Sequence, residues 1–170
     1  MKSIIAWGEL ELSKMRLKFG AYVLSTAFIM LLIFLFSAQD ANASQKLSDG
    51  ILYEILSLLR AQELMERFGM PIRKLAHFCL YFALGLSSLM MFLQGGKLGY
   101  TIIKAPAQLS AFMFGAVYAI SDEIHQHYVP GRSMQFTDVL LDCAGVLTAI
   151  LIFTAIKRLC TQAGRGREET

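Results

Sequence analysis

Residues 19–38, FGAYVLSTAFIMLLIFLFSA, decide the fold: twenty consecutive residues carry no charge. As a helix rising about 1.5 Å per residue they cover roughly 30 Å, the thickness of a bilayer's hydrocarbon core. Lys14, Arg16 and Lys18 stand just before the block, where basic groups hold a span's cytoplasmic end. A cleaved signal peptide is the rival reading, because Ala41-Asn42-Ala43 has the form of a cleavage site. The apolar region of such peptides runs to only about 7–15 residues, so a retained helix is the expectation.

Outward from that block, three further apolar stretches read as spans, at about 75–94, 106–124 and 138–157. Pro106 opens the third, which a helix tolerates in its first turn. The fourth is long enough only if Asp138 and Asp142 lie inside it. Hydrophobic residues make up 55% of the chain and charged residues 17%, against about 25% charged in a soluble domain. The expected fold is therefore all-α, an integral membrane bundle of four transmembrane helices in a single domain over the whole chain. Between the first two spans, Leu47, Ile51, Ile55, Leu58 and Leu59 fall near helical spacing, with charged residues between the apolar ones that follow. Residues 46–68 thus read as an extracytoplasmic amphipathic helix, either on the membrane surface or packed on the bundle. The first thirteen residues suggest a short interfacial helix anchored by Trp7, and 162–170 read as a disordered tail. The small net charge of +3 and the dispersed basic residues give no nucleic-acid footprint. Cys79, Cys143 and Cys160 form neither a disulfide framework nor a paired-cysteine zinc motif.

With the N-terminus inside, ten Lys and Arg residues fall on the cytoplasmic side and six outside, so both termini are predicted to be cytoplasmic. That orientation places the polar residues of the spans in one layer. Lys74, His77 and Tyr81 follow one another down the outer end of the second helix. Asp122 and Glu123 close the third, with Gln126 one turn on. Asp138 opens the fourth and Asp142 lies one turn deeper, with Gly145 on the same face to admit a close neighbour. Gln39 ends the first helix and Arg132 lies in the last outer loop. A charge at the centre of a span costs about 2.5 kcal/mol or more, so this convergence argues for one shared site. Plainer readings stand beside it. Asp138 suits a helix N-terminus, Arg132 could pair with Asp138 or Glu123, Tyr81 could anchor at the interface, and His125 and His127 could be exposed loop residues. Asp142 is too deep to be a cap. No metal is assigned, because the His, Asp and Glu spacing fits no standard zinc motif, and no cofactor can be named.

The residues Phe36-Ser37-x-Gln39, Lys74-x-x-His77-x-x-x-Tyr81, Ser121-Asp122-Glu123-Ile124-His125-Gln126, Val129-Pro130-Gly131-Arg132 and Asp138-x-x-x-Asp142-x-x-Gly145 resemble the VanZ-like family over about 24–156. The resemblance implies a multi-pass protein of the bacterial plasma membrane with an envelope-related role. The family's founding member is linked to low-level resistance to teicoplanin, a glycopeptide antibiotic. It implies no settled reaction. Carried over residue by residue are Gln39, Lys74, His77, Tyr81, Asp122, Glu123, Gln126, Arg132, Asp138 and Asp142.

Two functions follow. In the first, an enzyme acts on a membrane lipid or lipid-linked envelope precursor. His77 carries a proton, Asp122 or Asp142 is its partner carboxylate, and Arg132 and Lys74 hold a phosphate or carboxylate. Gln39, Tyr81, Glu123, Gln126 and Asp138 complete the ligand-binding set. In the second, a non-catalytic binding or scaffold protein uses the polar layer to lock the bundle. Whether the chain is an enzyme stays open. So does a homo-oligomer, since Gly115-x-x-x-Ala119 offers a helix contact within or between chains.

Overall fold

The computed structural model describes residues 2–39, 72–100 and 105–168. Four helices account for nearly all of them: α1 (Lys2–Ser37), α2 (Ile72–Lys97), α3 (Ala107–His127) and α4 (Phe136–Glu168). No strand occurs among the described residues. The segment expected to form an amphipathic helix at 46–68 lies outside them.

α1 is one helix, where the sequence suggested a separate short helix before the span. No proline interrupts Lys2–Ser37, and once nucleated a helix propagates until something stops it. Glu11 and Lys14 pair on its exposed surface at 2.8 Å. The same reasoning carries α4 to Glu168, through residues read as a disordered tail. α2 does stop. Gly99 adopts φ +72, its N–H donates to Gly96 O at 3.2 Å, and Tyr100 N–H donates to Gly95 O at 2.9 Å. These are the paired bonds of a Schellman terminus, whose left-handed residue favours glycine.

The helices run alternately up and down. The end of α1, the start of α2, the end of α3 and the start of α4 meet at one end of the bundle. At the other end Gln94 of α2 donates to the Met15 carbonyl of α1 at 3.1 Å. Between the ends lies an apolar core that includes Ile33, Tyr81, Leu84, Leu89, Ala111, Ala119, Val146 and Ile150. Three glycines set its tightness. A Cβ on Gly145 of α4 would stand 2.7 Å from Phe78 O of α2, and one on Gly85 of α2 would stand 2.8 Å from Val146 Cα of α4. A Cβ on Gly115 of α3 would stand 2.7 Å from Val146 Cγ2. So α2 and α4 cross in backbone contact, and the Gly115 face is used within the chain.

By length and composition three helices can cross a membrane, over Gly8–Ser37, Lys74–Lys97 and Phe136–Gly164. α3, the third of the four stretches expected to span, is not among them. α3 falls short because its last two turns carry Asp122, Glu123, His125, Gln126 and His127. Its 21 residues still cover about 30 Å, and its acids and Gln126 are buried against the other helices. The side it leaves exposed carries Leu109, Met113, Val117, Ile120 and Ile124, an apolar stripe at helical spacing. α1 exposes Leu24, Phe28, Leu31 and Leu35 in the same way.

Candidate ligand site at the meeting of four helix ends

The site follows from the crossing of α2 and α4. Gly145 lets the two backbones touch one turn from Asp142, so the polar residues on their first turns face each other across the seam. Lys74 Nζ donates to Asp138 Oδ1. One turn deeper, His77 Nδ1 stands 3.8 Å from Asp142 Oδ2, beyond hydrogen-bond reach. Asp138, one of the two carboxylates offered as a partner for Arg132, is paired with Lys74.

α3 supplies the third side. Asp122 is buried and its Oδ2 accepts from Ser37 of α1 at 2.8 Å and from Gln126 at 3.1 Å. Gln126 also donates to Ser37 Oγ at 3.3 Å. This triangle ties α1 to α3 and holds Asp122 in place. Single ligand-capable atoms of His77, Asp122 and Asp142, one from each of three helices, all lie within 4.8 Å of one another. A small cavity of about 10 Å³ opens beside them, lined by Lys74, His77, Gln126, Asp138, Leu141 and Asp142. Several polar atoms here have no hydrogen-bond partner among the described residues: Asp142 Oδ1, Tyr81 Oη and Glu123 Oε2. Tyr81 is 0% exposed, with its ring 6.4 Å from that of His77. It is part of the core and not an interfacial anchor.

The remaining predicted residues frame the cluster rather than enter it. Glu123 Oε1 accepts from the Gln135 backbone N–H at 2.6 Å, which fixes the loop leading into α4. Arg132 Nη2 donates to Phe36 O at 3.1 Å, a cation at the C-terminal carbonyls of α1. A turn aims it there. Arg132 N–H donates to Val129 O at 3.1 Å, and Gly131 has φ +75. Proline followed by a positive-φ glycine is the sequence of a type II turn. Gln39 is half-buried on the turn beyond α1, and none of the hydrogen bonds described for the cluster reaches it. His125 is half-buried and stacks on Phe34 with ring centroids 4.7 Å apart. His127 is exposed. Both histidines belong to the last turn of α3 and not to a loop.

Sequence reasoning missed two contributors. Ser37, fully buried, takes the place expected of Gln39. Tyr118 donates its hydroxyl to Met30 O at 2.6 Å, a second tie from α3 to α1. Ser37 was within the quoted motif, but only the rotation of α1 selects it over Gln39.

Chemically, the arrangement offers one imidazole, two buried carboxylates and a lysine–aspartate pair around a space the size of a water molecule. That donor set can bind a cation or relay a proton. With apolar exteriors on three span-length helices, it defines a helical membrane protein with a buried polar cluster. The chain belongs to the VanZ/LLP1 family, whose model matches residues 22–157. No curated protein and no solved structure gives a significant match.

Proposed function

We propose that the chain is a multi-pass protein of the bacterial plasma membrane that binds a phosphate-bearing headgroup, of an envelope lipid or lipid-linked cell-wall precursor. In this reading α3 is the fourth span, its apolar stripe facing lipid, both termini are cytoplasmic and the cluster lies near the outer surface. One observation carries it: buried polar groups from all four helices meet at one end, and some of their atoms are left without hydrogen-bond partners among the described residues. A network that existed only to lock the bundle would satisfy its own members, since a half-satisfied buried network is worse than an apolar core. Lys74 stands at the cavity's edge with His77 behind it, and Arg132 at the end of α1 adds positive charge nearby. A link to teicoplanin tolerance belongs to the same proposal, as an effect of engaging a cell-wall precursor.

The test is binding of the purified chain to vesicles containing a polyprenyl phosphate, with phosphatidylcholine vesicles as reference. Preference for the phosphate-bearing vesicles, lowered about tenfold or more by Lys74→Ala or His77→Ala, a loss of roughly 1.4 kcal/mol, is the expected result. Equal binding to both vesicle types would overturn the proposal. The satisfied triangle of Ser37, Asp122 and Gln126 favours a structural role for that part of the cluster. Under a wholly structural reading, Asp142→Asn would leave both binding and stability unchanged.

A further inference from the structure

The cavity carries a mismatch of charge. Asp138 and Asp142 line it and Asp122 stands within reach, while the lysine at its edge is already held by Asp138. An anionic headgroup entering the cavity would meet the carboxylates of Asp138 and Asp142. Asp142 is 2% exposed and its Oδ1 has no partner among the described residues. Its Oδ2 is too far from His77 for a hydrogen bond. Oδ2 keeps only an ion-pair contact with His77 at 3.8 Å, and a desolvated carboxylate oxygen left unbonded is costly, so such groups are found paired or coordinating metal.

Three observations point to the same occupant. The donor atoms of His77, Asp122 and Asp142 lie within 4.8 Å of one another, and each comes from a different helix. Metal–oxygen and metal–nitrogen bonds of about 2.0–2.2 Å separate neighbouring ligands by roughly 3.0–3.5 Å, so side-chain rotations that move the donor atoms by an ångström or so close the set. The adjoining space of about 10 Å³ holds the centre of one water-sized sphere, which suits an ion or its bound water. An imidazole with two carboxylates is a mixed nitrogen–oxygen set, suited to Zn²⁺ or Mn²⁺ more than to Mg²⁺ or Ca²⁺, which favour oxygen alone.

We propose that His77, Asp122 and Asp142 bind one divalent transition-metal cation, of the Zn²⁺ or Mn²⁺ kind. A coordination position facing the cavity is left for water or a phosphate oxygen. This rests on reading the cluster as the working site, and it supplies the positive charge the headgroup needs opposite Asp138 and Asp142. Gln126 positions Asp122 through its hydrogen bond, and Ser37 does the same from α1.

The full chain, purified in detergent without chelator, is analysed for metal, stripped, and titrated with Zn²⁺ and with Mn²⁺. The expected result is about one equivalent per chain and a rise in Tm on loading. His77→Ala, Asp122→Asn and Asp142→Asn are each expected to weaken uptake at least about tenfold. Glu11→Gln removes an exposed acid of α1 that pairs only with Lys14, and should keep full stoichiometry. If the ligand variants fail to fold, pulsed electron paramagnetic resonance of Mn²⁺ in the native chain reads the site directly, through coupling to a histidine nitrogen. Failure to take up either ion, uptake indifferent to all three substitutions, or bound Mn²⁺ without nitrogen coupling would overturn the proposal. Phosphate-headgroup binding that persists in a metal-free chain would overturn the metal alone and leave the headgroup reading standing. Metal uptake without headgroup preference would do the reverse.

Discussion

Lys74 is the residue whose removal the structure makes easiest to read. It bonds Asp138 across the α2–α4 seam, with side chains 30% and 15% exposed. Lys74→Ala leaves a largely buried carboxylate without its cation. A loss of about 1–3 kcal/mol is expected, seen as a lower Tm in detergent. Adding Asp138→Asn should recover part of the loss, because the stranded charge is then gone; no recovery would mean the pair is not coupled. Ser37→Ala deprives buried Asp122 of one donor and should cost a similar amount, whereas Gln39→Ala should change Tm little. At this scale the sequence was informative where a residue was out of place in its surroundings. His77, Asp122 and Asp142 are polar groups inside apolar stretches, and the structure brings those three together. Ser37 was not separable from Gln39, because α1 is apolar on all sides and its sequence does not say which face turns inward. Nor could spacing reveal that the trio shares a point, since its members come from helices far apart in sequence.

At the scale of elements, the glycines of the crossing control the site. Gly145→Ala would drive a methyl into Phe78 O, a backbone atom that cannot rotate away. Overpacking costs about 1–3 kcal/mol where side chains can adjust, and more is expected here. Because α2 and α4 would be pushed apart beside His77 and Asp142, metal uptake should fall together with Tm. Gly8→Ala, where a Cβ meets nothing within 4 Å, is the matched control and should leave both unchanged or raise Tm slightly. The close approach at Gly145 was legible from its register with Asp138 and Asp142. The helix ends were less so. α1 and α4 run past their apolar blocks because hydrophobicity marks the span and not the stop, while α2 ends where Gly99 permits a left-handed turn. α3 looked like a span from its length and apolar start. Its polar last turns deny it that standing by composition, and only the buried position of Asp122, Glu123 and Gln126 shows how a helix carrying them can present an apolar side outward.

For the whole molecule, the alternating course of the helices puts the N-terminal end of α1 and the C-terminal end of α4 at the same end of the bundle. If α3 crosses the membrane, reporters fused to the N- and C-termini should both read as cytoplasmic. Opposite sides would remove α3 as a span and with it the outer placement of the cluster. The membrane class and the family were legible from composition and motif. The packing that joins the motifs was not, because it is set by three glycine contacts and by hydrogen bonds to α1 that carry no periodic pattern.

Val146 meets Gly85 with its backbone and Gly115 with its side chain, so α2, α3 and α4 are locked about a single residue one turn below Asp142. α1 has no such lock at the cluster end, where hydrogen bonds from Ser37, Tyr118 and Arg132 hold it to the rest. Slow opening of the bundle therefore has a preferred seam. In deuterated solvent, backbone amides in the last turns of α1 should exchange well before those flanking Val146, and Arg132→Ala should widen that gap in rate without touching the locked trio.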